Sequence, residues 1–145
     1  MTVRRERTVA APLEAVWAVV GDPYHLPRWW PMTERVEAVE AGAWTSVLRG
    51  GRGRAVRADF VVEAHEPPRR RAWRQQLENS PFERIVLEAR TAVELREAAS
   101  PSETVVALTI VQRQRGTARL GGFMVRRALR RQLDTALSGL AGALE

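Results

Sequence analysis

The chain has no cysteine and no lysine, and only two histidines, His25 and His65. Without cysteine there is no disulfide, no thiolate metal ligand and no thiol nucleophile. Two histidines far apart in the chain make no histidine-rich metal site, so neither a metal nor a cofactor is expected. Long hydrophobic runs are also missing, since nothing approaches the roughly 18 apolar residues of a membrane span. The opening Met1-Thr2-Val3-Arg4-Arg5-Glu6 lacks the apolar stretch of a secretory signal, which makes a cytoplasmic location the expectation.

Because lysine is absent, all 23 basic residues are arginine; against 17 acidic residues they leave a net charge of +6. Arginine pairs with phosphates and stacks on bases, so nucleic acid or an anionic surface has to be weighed. The arginines are scattered and interleaved with glutamates, which argues against a nucleic-acid partner and for a solvated, arginine-biased surface. With 145 residues and 45% hydrophobic content, the composition is that of one globular domain spanning 1–145. It leaves the oligomeric state open.

The pattern changes period twice along the chain. A polar strand over the first ten residues precedes an apolar stripe at Leu13, Val16, Trp17 and Val20, the i, i+3, i+4, i+7 spacing of a helix. Pro12 suits its first turn, and Gly21-Asp22-Pro23 ends it. A short helix or turn from Tyr24 to Trp30 stops at Pro31.

From Arg35 onward the chain alternates like antiparallel strands. The segments are Arg35–Glu40, Trp44–Arg49, Arg54–His65, Arg69–Glu78, Arg84–Glu97 and Glu103–Arg115. Parity turns Val56, Ala58, Phe60, Val62 and Ala64 inward, then Arg71, Trp73, Gln75 and Leu77, then Ile85, Leu87, Ala89, Thr91, Val93 and Leu95. Gly50-Gly51-Arg52-Gly53 is a hairpin loop, without the pattern or the following helix of a phosphate-binding loop. From Ala118 to Leu144 the period becomes helical, with Val125, Leu129, Leu133, Leu137, Leu140 and Leu144 on one stripe. Gly139 and Gly142 allow a close neighbour there. The order predicts an α+β fold: a curved antiparallel sheet of about seven strands around a long C-terminal helix, with two short helices after the first strand. A curved sheet gripping one helix leaves a gap of the kind in which apolar ligands bind.

Several short motifs carry a resemblance over essentially the whole chain. They are Ala11-Pro12-Leu13-Glu14-Ala15-Val16-Trp17, Asp22-Pro23, Trp29-Trp30-Pro31, Trp73-Arg74-Gln75 and the closing arginine-leucine helix. In these the chain resembles the START-like, helix-grip superfamily (SRPBCC), which includes polyketide cyclases and dehydratases, lipid-transfer proteins and plant pathogenesis-related allergens. The resemblance implies a tunnel-like cavity, open near the curled sheet edge and the two short helices. It does not choose among the activities the fold supports.

The leading expectation is a binding protein that holds an apolar small molecule (a lipid, polyketide or similar). Its pocket would be lined by Trp29 or Trp30, Trp44, Phe60, Trp73, Leu87, Leu108 and the inner helix face. Adjacent tryptophans cannot both face one way, so one of Trp29 and Trp30 belongs to the core and the other lines or covers something. The plainer alternative is that these indoles only fill the core. The runner-up is a polyketide cyclase/dehydratase-type enzyme, which would need an inward polar group; parity offers Arg71, Gln75, Thr91 and Gln112. No carboxylate is clearly inward, the histidines sit at segment ends, and no catalytic residue is assigned. A third possibility is a basic patch of Arg126, Arg127, Arg130 and Arg131 on the outer helix face, which could meet an acidic partner or lipid headgroups.

Overall fold

The computed structural model describes residues 1–116 and 121–145. Seven strands form one fully antiparallel sheet in the order β1-β7-β6-β5-β4-β3-β2. They are β1 (Thr2–Val9), β2 (Thr33–Glu40), β3 (Ala43–Arg49), β4 (Ala55–Glu66), β5 (Arg70–Gln76), β6 (Val86–Glu97) and β7 (Thr104–Gln114). Helix α1 (Leu13–Val20), a 3-10 turn (Pro23–His25) and α2 (Leu26–Trp29) lie between β1 and β2. Helix α3 (Gly122–Leu144) closes the chain. The helical pattern predicted from Ala118 begins at Gly122 among the described residues; the rest of that reading falls outside them.

Topology explains the curvature. β1 and β2 are neighbours in sequence yet occupy opposite edges of the sheet. Flat, those edges would stand about 29 Å apart at the usual strand spacing. The connection between them is largely taken up by two short helices, so the sheet curls to bring its edges within reach. Extra residues in β2, β4 and β6 shift the register and bend those strands further.

The concave face is filled from one end. Leu133, Leu137 and Leu140 of α3 are buried against a core that includes Val93, Val106 and Leu108 of β6 and β7. Burying each such side chain stabilises the fold by about 1.5–3 kcal/mol before entropy is counted. Helix α2 is drawn tight against α3 at Gly139, where an added Cβ would come within 2.7 Å of the Trp29 carbonyl oxygen. Gly142, expected to serve a similar contact, has open space around it. Arg28 of α2 donates to the Ala143 carbonyl at 3.4 Å, a cation at the C-terminal end of α3 where the helix dipole favours one. No described helix is long and apolar enough to cross a membrane.

Candidate functional site

The C-terminal half of α3 is buried in the core, while its N-terminal half, resting on edge strand β1 through Arg126 and the Thr2 carbonyl, borders a gap between helix and sheet. A cavity of about 770 Å³ lies in the gap. From α3 it is bounded by Ala128, Leu129, Arg131, Gln132 and Thr135. From the sheet it is bounded by inward residues of β3 to β7, among them Trp44, Phe60, Trp73, Thr91 and Ile110. Buried liners such as Trp44, Ser46 and Trp73 form its floor, while exposed ones such as Met32, Arg49, Ile85 and Arg131 mark its mouth.

One wall is a chain of aromatic rings anchored in the core by Trp29. Trp29 meets Trp30 edge-on at 5.4 Å, Trp30 meets Trp73 at 5.9 Å, Trp73 meets Trp44 at 5.7 Å, and Trp44 stacks on Phe60 at 5.3 Å. The edge-to-face contacts and the one stacked pair fix the orientation of each ring against its neighbour. The Trp44 indole N–H donates to Ser46 Oγ at 3.0 Å and is therefore satisfied. The Nε2 of Gln75 is buried without a partner among the described residues, on a side chain that borders the cavity. An unpaired buried donor is costly, and an acceptor placed in the cavity would relieve it.

The sequence-predicted residues divide into two groups. Trp30, Trp44, Phe60, Trp73, Gln75 and Gln112 border the cavity. Trp29, Leu108, Arg71 and Leu87 do not. Trp29 is buried in the core beside Gly139, leaving Trp30 as the member of the pair that faces the cavity. Leu108 shares a strand face with Ile110 and Gln112, but it is fully buried in the core that includes the α3 leucines.

Leu87 is a reversal of the expected face. It is the extra residue of the β6 bulge: Val86 pairs with Gln114 and Glu88 with Arg113, so Leu87 is pushed outward and is 42% exposed. Val86 takes its place at the cavity, beside Ala89, which faces inward as expected. Ile85, also expected inward on a strand, precedes β6 and lies exposed at the mouth.

Arg71 is buried beside the cavity instead of in it. Its guanidinium lies over the Trp44 ring, 5.7 Å from the centroid, and Nη1 is 2.7 Å from His65 Nδ1. It makes no ion pair among the described residues. Burial lowers its pKa, and the charge of Asp22 partly opposes that shift. His65 is held below the ordinary histidine value by burial first and by the Arg71 charge second. His25 contacts Arg28 through Nδ1 at 3.1 Å and is not among the described lining residues.

Reading by parity missed several lining groups. Ser46 follows Trp44 by two residues in β3, so alternation alone contains the signal for it. Ala128, Gln132 and Thr135 form a neutral stripe beside the leucine stripe of α3, spaced i, i+4, i+7, which the contrast of leucine and arginine had hidden. Phe82 and Met32 lie outside regular elements and carry no periodic signal.

Residues 1–145 match the family described as polyketide cyclase / dehydrase and lipid transport. Among solved structures, a START superfamily protein from Mycobacterium smegmatis superposes with a TM-score of 0.81 at 13% identity, covering 99% of this chain and 96% of that one. The Zhui aromatase/cyclase from a Streptomyces species gives 0.77 at 23% identity, over 99% of this chain and 92% of that one. The di-domain ARO/CYC BexL gives 0.79 at 22% identity, over 98% of this chain and 45% of that one. At these identities the structural likeness concerns the fold, and no curated protein matches the sequence. With the match running its full length and the helix-grip architecture in place, the chain belongs to the polyketide cyclase / dehydrase and lipid-transport family.

Proposed function

We propose that the protein binds an apolar small molecule, such as a lipid or a polyketide, in the cavity between the sheet and α3. The observation that carries this reading is the cavity itself. It measures about 770 Å³, within the range of small-molecule sites, and has one aromatic wall and a few separate polar groups. Trp30, Trp44, Phe60 and Trp73 supply apolar contact area. Gln75, Thr91 and Gln112 supply orientation, with the free Gln75 N–H meeting a carbonyl or hydroxyl oxygen.

A cyclase- or dehydratase-type enzyme is the second reading, favoured by that same Gln75 donor, which could polarise a carbonyl. The described lining holds neither a carboxylate nor an imidazole to move a proton, and this supports binding over turnover.

Native mass spectrometry of freshly purified protein, with an organic extract of the same sample run beside it, tests the proposal. A mass excess matched by an apolar compound in the extract is the expected result. If the protein is mass-clean and its tryptophan emission stays unchanged across a panel of alkyl and aromatic ligands, the proposal fails.

A further inference from the structure

The charges around the cavity are of one sign. Among the described residues its lining includes two ionisable side chains, Arg49 and Arg131, both exposed at the mouth. Arg131 and Thr135 also border a groove on the outer side of α3, lined besides by Arg127, Arg130, Asp134 and Ser138. Cavity and groove therefore meet along one edge of the helix.

On the strands many of the exposed arginines are matched by acids. On the sheet, Glu6 pairs with Arg4 and Arg96, Glu63 with Arg74 and Arg90, and Glu88 with Arg90 and Arg113. On α3 this matching stops. Arg127, Arg130 and Arg131 form no ion pair among the described residues. The one acid in their groove, Asp134, is held by Arg5 through two hydrogen bonds of 2.8 and 2.9 Å. Arg127 and Arg131 stand one helical turn apart, a like-charge spacing that destabilises the helix unless an anion is present. On the sheet side of the mouth, Arg49 has only a 3.4 Å contact with Glu34.

We infer that the ligand is an anionic amphiphile, with an apolar body among Trp30, Trp44 and Trp73 and a carboxylate or phosphate head held at the mouth by Arg131. This rests on the cavity reading above and adds the chemical class of the ligand. The planar guanidinium offers a fork of donors that matches either oxyanion. Arg127, Arg130 and Arg49 add a positive field that draws such a head to the entrance.

The test is a tryptophan-fluorescence titration of the full chain with dodecanoate and with 1-dodecanol, which share an alkyl body and differ in the head. The acid is expected to bind about tenfold more tightly than the alcohol. Arg131→Gln should abolish that difference by weakening the acid alone, and Arg49→Gln should narrow it. Equal affinities in the wild type would overturn the head-group inference and leave the cavity reading intact. Silence with both ligands would overturn the head-group inference, and silence across the wider alkyl and aromatic panel in a mass-clean protein would overturn the cavity reading with it. Equal weakening of both by Arg131→Gln would make Arg131 a structural residue and overturn the inference. A parallel arm measures co-sedimentation with phosphatidylglycerol-containing vesicles. Vesicle binding that needs Arg127, Arg130 and Arg131, without discrimination between acid and alcohol, would assign the arginines to a membrane surface instead.

Discussion

Arg71 and His65 face each other across β5 and β4, and the guanidinium Nη1 lies 2.7 Å from His65 Nδ1. Because arginine has only donors to offer, Nδ1 accepts, and the ring is neutral with its proton on Nε2. The folded state therefore binds the His65 proton less readily than the unfolded chain, in line with its lowered pKa. Its contribution to stability is present above the unfolded histidine value of about 6.5. It is lost as pH falls from there through the lower folded value. Urea midpoints between pH 8 and pH 5 should fall more steeply for wild type than for His65→Gln, which keeps an acceptor but does not titrate. Parallel curves would show that the pair does not sense pH.

The Arg71 guanidinium is 5% exposed and lacks a carboxylate partner among the described residues. Desolvating such a charge costs free energy that a single imidazole hydrogen bond and a ring face recover only in part. Arg71→Met keeps an unbranched apolar stem and removes the charge. It is expected to leave stability within about 1 kcal/mol of wild type or to raise it. A loss well beyond that in urea unfolding would mean the arginine is better compensated than its contacts indicate.

Two glycines of α3 should respond in opposite directions. In Gly139→Ala the new methyl meets the Trp29 backbone at 2.7 Å, which forces α2 and α3 apart. A loss of about 1–3 kcal/mol is expected from the overpacking. In Gly142→Ala the methyl enters open space. There the helix should gain up to about 1 kcal/mol from better propensity. Thermal melts of the two variants, measured side by side, check the pair.

Gln75→Leu removes the buried donor that has no partner. It should weaken a carbonyl-bearing ligand by about tenfold while sparing a hydrocarbon of the same shape. The readout is displacement titration of a matched ketone and alkane. Equal effects on the two ligands would sink the orienting role of Gln75.

Much of this molecule follows from its sequence. Period-two alternation delimits the strands after Pro31, and the leucine repeat marks the helix that must cover them. The order of elements then leaves few architectures, because a sheet with one apolar face and a single long amphipathic helix have only each other to bury against. Parity also brought Trp44, Phe60, Trp73 and Gln75 to one surface, since the period of side chains along a strand is a local property.

What the tertiary structure alone decided is where that parity breaks and how far α3 stands from the sheet. One extra residue, Glu63, in β4 puts His65 on the face of Arg71; one extra residue, Leu87, in β6 leaves its place on the inner face to Val86. A bulge is set by how two strands must bend together, which neither strand encodes by itself. The gap under the N-terminal half of α3 likewise depends on the close approach at Gly139 and on packing at the far end. For that reason Leu108, on the same face as Ile110, is sealed in the core while its neighbour borders an open cavity.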